Sequence, residues 1–138
     1  MNLLNWDGKG NPAEKKTTTP TRLGACAMTG HPEITEVNTA AKELLTEARG
    51  HDSRRAARTL VTGTAQRATL IALCEGASMS EHDAPPAATL QVVTGRVRLH
   101  TRDREWVLDE NHLIAIPRQR HGLTALTDTV VLLTVSLR

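Results

Sequence analysis

The chain has 138 residues, a net charge of +2, two Trp and neither Phe nor Tyr. A length of this order makes one domain, with room for an extension, and its core must be built from Leu, Val, Ile, Ala and Met. So few aromatic rings argue against a single-strand nucleic-acid binder, which needs stacking platforms, and no apolar run approaches the roughly 18 residues of a membrane span.

Residues 1–34 read as a flexible tail. Gly8, Gly10, Pro12, Pro20, Gly24, Gly30 and Pro32 interrupt any period. The opening residues lack the apolar stretch of a secretory leader, so the expected compartment is the cytoplasm. Residues 35–57 read as helix and connector. Val37, Ala41, Leu44, Leu45 and Ala48 recur at helical spacing and predict a helix over 38–49 with one apolar face. Asn38 or Thr39 can cap its start, and Gly50 fits the position just past its end. Three turns are marginal in isolation, so this helix should pack on the structure that follows or on a partner subunit.

The first 58 residues carry nine basic and seven acidic side chains, and the remainder carries eight of each, so the positive excess lies early in the chain. Its densest part is Arg54, Arg55 and Arg58. This cluster reads as a solvated connector, although three Arg so close could also meet a phosphate or an acidic partner. A nucleic-acid partner is not expected, because the neutral remainder lacks a one-sided basic footprint. Cys26 and Cys74 stand in no metal-ligand spacing. Cys74 lies in an apolar run and reads as a buried reduced thiol.

From residue 58 the pattern changes to short β segments. Strands are expected near 58–62, 66–74, 78–82, 88–94, 96–101, 105–108, 112–116, 121–126 and 129–137. Glu75-Gly76, Pro85-Pro86, Thr94-Gly95, Arg102-Asp103, Asp109-Glu110-Asn111, Pro117 and Thr127-Asp128 punctuate them. Many short strands with regular turns indicate an all-β sandwich or barrel. Val97 and Leu99 alternate with Arg96, Arg98 and His100, while Ala88, Leu90 and Val92 alternate with Thr89, Gln91 and Val93. Such strands have one apolar face.

At Gly76 a known pattern begins. Gly76 is followed after five residues by His82, then by Ala84, Ala88 and Gly95. This resembles the first motif of the cupin superfamily: Gly, five residues, His-x-His, three or four residues, Glu, six residues, Gly. The second His and the Glu are replaced by Ala84 and Ala88. The second cupin motif is Gly, five residues, Pro-x-Gly, two residues, His. Here Asn111 takes the place of the first Gly, Pro117 keeps its spacing, Gln119 replaces the second Gly, and His121 comes one residue early. The fifteen residues between the motifs, 96–110, match the short spacing of compact single-domain bacterial cupins. The resemblance covers 76–138 by motif and 58–138 by strand order. It implies a cupin barrel (a double-stranded β-helix, or jelly roll) preceded by one short helix and the tail.

The early position of His121 has two readings, since a slip of one along a strand turns a side chain to the other face. With His121 inward, Leu123 and Ala125 also point inward. With residue 122 inward, Thr124 faces the core. The first buries more apolar surface and is the expected one. The pocket should then be aliphatic, formed by Met79, Leu90, Val92 and Leu123, with His82 and His121 at one end. Met79 reads as a core filler. Arg118 and Arg120 flank the mouth and could attract an anion, although exposed Arg side chains are usually only solvated.

In its full form the cupin ligand set holds a divalent metal such as Zn, Fe, Ni or Mn. Here it is reduced to His82 and His121, one short of the usual three protein ligands of a catalytic site. Glu81 and Asp83, as neighbours of His82 in an extended segment, should point the other way. The expected function is small-molecule binding near His82 and His121. The alternative is a metal-dependent cupin enzyme of oxygenase, isomerase or lyase type with an incomplete His-based site. No catalytic residue is assigned. Cupins of this size commonly pair, and an open sheet edge is a hazard, so a homodimer is expected and no membrane partner.

Overall fold

The computed structural model describes residues 33–137, with the side chain of His82 excepted. The tail reading for residues 1–32 and the reading of Cys26 lie outside the described residues.

Helix α1 spans Val37–Arg49. Its cap is Glu36, not Asn38 or Thr39. The Glu36 carboxylate accepts both the backbone N–H and the hydroxyl of Thr39, each at 3.0 Å. The longer Glu side chain satisfies the first turn from one residue before the helix, which leaves Asn38 and Thr39 inside that turn. Gly50 closes the far end. Ala41, Leu44 and Ala48 of the marked face are buried, Val37 and Leu45 are partly buried, and Ala40, which the spacing did not mark, is buried beside them.

Nine strands follow: β1 Arg55–Thr62, β2 Gln66–Leu73, β3 Ser78–His82, β4 Ala88–Thr94, β5 Val97–Thr101, β6 Glu105–Leu108, β7 Leu113–Ala115, β8 His121–Ala125 and β9 Thr129–Ser136. The all-β expectation holds, with each expected strand present. The largest shift is at β1, which starts at Arg55 rather than near 58. Arg55 and Arg58 are therefore strand residues, not connector. Ala56 and Leu60, on the same face as Arg58, pack under α1. Arg58 reaches past them to Glu43 of the helix at 3.2 Å. A long stem over apolar surface with its charge at the rim is ordinary for Arg.

The strands form two antiparallel sheets. One has the order β1-β2-β9-β4-β7 and the other β3-β8-β5-β6. Between them lies a core of Ile71, Leu73, Leu90, Val92, Val97, Leu99, Leu108, Ile116, Leu123, Ala125 and Val131. The five-stranded sheet is also covered on its other face. There Leu70, Ala72, Cys74 and Val130 meet the buried face of α1. This explains why β2 is almost continuously apolar, whereas β5, with solvent on one side, alternates between buried Val97, Leu99 and Thr101 and half-exposed Arg98 and His100. Cys74 is a buried free thiol. No helix among the described residues is long and apolar enough to cross a membrane.

Two turns show why the motif glycines are there. Gly95 has φ +93°, and a Cβ added to it would stand 2.3 Å from the Asp128 carbonyl oxygen. Gly76 has φ +86°, with nothing within 4 Å of the same position. Asn111, standing where the second motif has Gly, has φ +67°. Asn is among the side chains that tolerate this left-handed region, so the turn survives the replacement.

Beside Gly95, the Asp128 carboxylate accepts the Glu75 backbone N–H at 2.8 Å and pairs with Arg49 at 3.0 Å. The Glu75 hydrogen bond, and then Arg49, hold its carboxyl below the usual 3.8. A lowered folded value means that this contribution to stability is complete above 3.8 and is lost as the pH falls below it.

Gly95→Ala should destabilise the protein by about 3 kcal/mol, from overpacking against backbone added to strain. Gly76→Ala should cost only the strain, about 1–2 kcal/mol. Urea unfolding of both variants checks this, and equal losses would contradict the contact at Gly95.

Candidate functional site

β3 and β8 run side by side at one end of the barrel. Their register pairs Met79 with Leu123 and His82 with His121. Three steps along β3 are matched by two along β8, so β3 carries a bulge between Met79 and His82. An extra residue changes which side chains share a face. The bulge sets the backbone of His82 opposite His121 despite the early position of the latter. The side chain of His82 is not among those described.

His121 faces inward and is 5% exposed. Its Nδ1 lies 2.9 Å from the Gln119 carbonyl oxygen. Only an N–H can make that contact, so Nδ1 carries hydrogen. Met79, Leu90, Leu123 and His121 line one small cavity together with Ile71, Leu99, Ile116 and Leu133. Val92 is buried further along the same core and does not line it. The cavity measures about 20 Å³. That suffices for roughly one water. The aliphatic pocket expected here is thus nearly filled by its own walls.

Ligand-sized spaces lie outside the interior: one of about 470 Å³ between α1 and residues 93–94 and 110–111, away from the motif histidines, and one at the mouth. A pocket of about 440 Å³ is lined by Asp83, Ala84, Pro85, Pro86, Arg118, Gln119 and Arg120. One wall is the β3–β4 connection and the other the β7–β8 connection, the segment that ends at His121. Sequence reasoning marked Arg118 and Arg120 as flanking the mouth but gave no place to Gln119 or the prolines. The signal was available, because both connections contain motif positions, and Pro85-Pro86 stiffens one of them.

Arg120 crosses between the walls. Its Nη1 lies 3.3 Å from Asp83 Oδ1, and its Nη2 donates to the Glu81 carbonyl oxygen at 3.2 Å. Its Nε is 3.8 Å from Glu81 Oε1, and Glu81 Oε2 lies 3.9 Å from His100 Nδ1. His100 sits on the outer face of β5, as its alternation indicated. It lies against Gly122, where a Cβ would come within 2.8 Å of the ring. Exposed pairs of this kind are worth at most about 1 kcal/mol each. Outside the mouth, His112 holds a turn, its Nδ1 accepting the Asp109 N–H at 2.9 Å.

Several solved structures share this architecture. A cupin superfamily protein from Desulfitobacterium hafniense aligns with TM-score 0.57 and 14% identity, over 61% of this chain and 78% of that one. An RmlC-like cupin from Shewanella frigidimarina aligns with TM-score 0.56 and 20% identity, over 61% and 77%. The chain has the cupin fold. KdgF from Halomonas sp. is similar too, with TM-score 0.56, 18% identity and coverage of 64% and 84%. No family model and no curated protein matches the sequence.

The donor set of a cupin metal is reduced in this sequence. Ala84 and Ala88 stand at two of the three ligand positions of the first motif. In the cavity lining, His121 is surrounded by aliphatic side chains and the Met79 thioether. Among the described residues, no three His, Cys, Asp or Glu side chains gather in a group that could hold a metal ion. A protein-held catalytic zinc takes three such ligands and a structural one four. The described residues do not form a three-ligand set for a resident metal.

Proposed function

We propose that this cupin binds a small organic molecule at the mouth of its barrel, over His121, without a resident metal. The observation that carries this reading is the contrast between two spaces. The interior holds about 20 Å³ and the mouth about 440 Å³. The larger volume falls in the range of small-molecule sites, roughly 300–1,000 Å³. The two motif positions that would have filled the interior with ligating groups are alanines, and Ala84 lines the mouth. Gln119 links the two spaces, since it lines the mouth and its carbonyl holds the ring of His121, which lines the interior. A metal-dependent oxygenase, isomerase or lyase would need donors that Ala84 and Ala88 lack.

A fragment screen by thermal unfolding tests this. Bound fragments should raise Tm by about 5 °C at saturation. The shifts should persist in EDTA and disappear in Ala84→Phe, which fills the mouth. Stoichiometric metal in tag-free protein, or shifts that EDTA abolishes, would sink the reading.

A second copy of the chain belongs to the same proposal. β1 is an edge strand, and its residues on the inner side of the sheet lie beyond the opposing sheet. Ala57, paired with the buried Ile71, is exposed, as is Thr59; past a bulge, Val61 pairs with Ala68 and is 51% exposed. An open edge with an uncovered apolar face favours pairing with another strand. Sedimentation should show a dimer at micromolar concentration that Val61→Glu weakens. A monomeric wild type would contradict it.

A further inference from the structure

Resting on the mouth as the binding site, we propose that its ligand carries an oxyanion, a carboxylate or a phosphate, that docks on Arg118 and Arg120 in place of the Asp83 side chain. Arg118 and Arg120 both line the pocket and both are exposed. Arg118 makes no ion pair or hydrogen bond among the described residues. Its guanidinium is a fork of donors with no acceptor of its own, suited to a planar oxyanion. Arg120 is partly committed. The Glu81 carbonyl fixes Nη2 at 3.2 Å and aims the guanidinium across the mouth, while Nη1 meets Asp83 at 3.3 Å. The Asp83 side chain is 91% exposed, so this contact is screened and weak.

Asp83 therefore acts as an internal stand-in for the ligand. A carboxylate or phosphate entering the pocket reproduces the Asp83 contact on Nη1 and adds contacts to Arg118 and Gln119 that Asp83 does not make. Bidentate, charge-assisted hydrogen bonds of this kind are the stronger ones. The facing wall of Ala84, Pro85 and Pro86 carries no charge and offers an apolar surface to the rest of the molecule. Glu81 does not fill the same role. Its carboxylate stands between Arg120 Nε, at 3.8 Å, and His100, at 3.9 Å, and leaves the Nη1 position to Asp83.

The test is an amide NMR titration of the full chain with benzoate, phenyl phosphate and the neutral benzamide. Benzoate, phenyl phosphate or both should saturably shift the signals of residues 83–84 and 118–121, at least tenfold more tightly than benzamide. Arg118→Gln should weaken that binding about tenfold. Asp83→Asn should tighten it severalfold by freeing Arg120, since the competing carboxylate is gone. Arg118 has no partner to lose, so its variant reports on binding without a folding defect, and unchanged Tm values confirm that. Benzamide binding at the mouth as tightly as the anions would overturn this inference and leave the mouth site standing. No shift at the mouth with any of the three, while fragments of other chemistry bind there, would overturn it too. If no fragment of any charge binds there, both readings fail. Anion binding unchanged in Arg118→Gln and Asp83→Asn would also overturn it.

Discussion

Between the two sheets, Ile71, Leu73, Leu90, Val92 and Val131 from one side meet Val97, Leu99, Leu123 and Ala125 from the other. Stacked sheets stand about 10 Å apart. With no Phe and no Tyr in the chain, that gap is closed mostly by branched aliphatic side chains, with Ala125 among them and Met79 and Trp106 packed against them. They close it so well that about 20 Å³ is left beside His121. This filling holds the two sheets together and at the same time removes the chamber in which a barrel of this kind could house a ligand. The packing that stabilises the fold also leaves the interior with far less space than the mouth.

The second apolar layer, between α1 and the five-stranded sheet, has a related origin. β2 and β9 carry apolar residues on both faces, and one face would be left in water without the helix. Leu44 and Ala48 cover Leu70, Ala72 and Val130. The two ends of the barrel then differ in character. At the end where Gly95 meets the β8–β9 turn, Asp128 ties Glu75 and Arg49 together, and the missing Cβ of Gly95 lets backbone lie against backbone. That end has no room to spare. At the mouth, the connecting segments are longer and contain Pro85 and Pro86, and their side chains stand apart around open space.

Much of this was legible in the sequence because turns declare themselves locally. Gly76, Gly95 and Asn111 each occupy a backbone conformation that few other residues accept, so their spacing reported the barrel frame. The alternation in β5 reported which side faced solvent. What the sequence concealed depends on contacts between distant segments. The start of β1 was hidden because Arg55 and Arg58 look like connector until the helix is placed over Ala56 and Leu60. The cap at Glu36 depends on the reach of a longer side chain. The bulge between Met79 and His82 becomes visible only when β8 is laid beside β3. The inward set of His121, Leu123 and Ala125 could be argued from alternation, but the space left over could not. It is the small difference between a barrel's volume and the sum of its side chains. Hence the inward face of His121 was legible, and the small volume beside it was not.

The most direct measurement is a crystal structure of tag-free protein soaked with a set of small fragments. The expected result is fragment density between residues 83–86 and 118–120, and at most one water beside His121 in the interior. A metal ion bound to His121, or a fragment lodged inside the barrel between Leu90 and Leu99, would contradict a filled core with its site at the mouth.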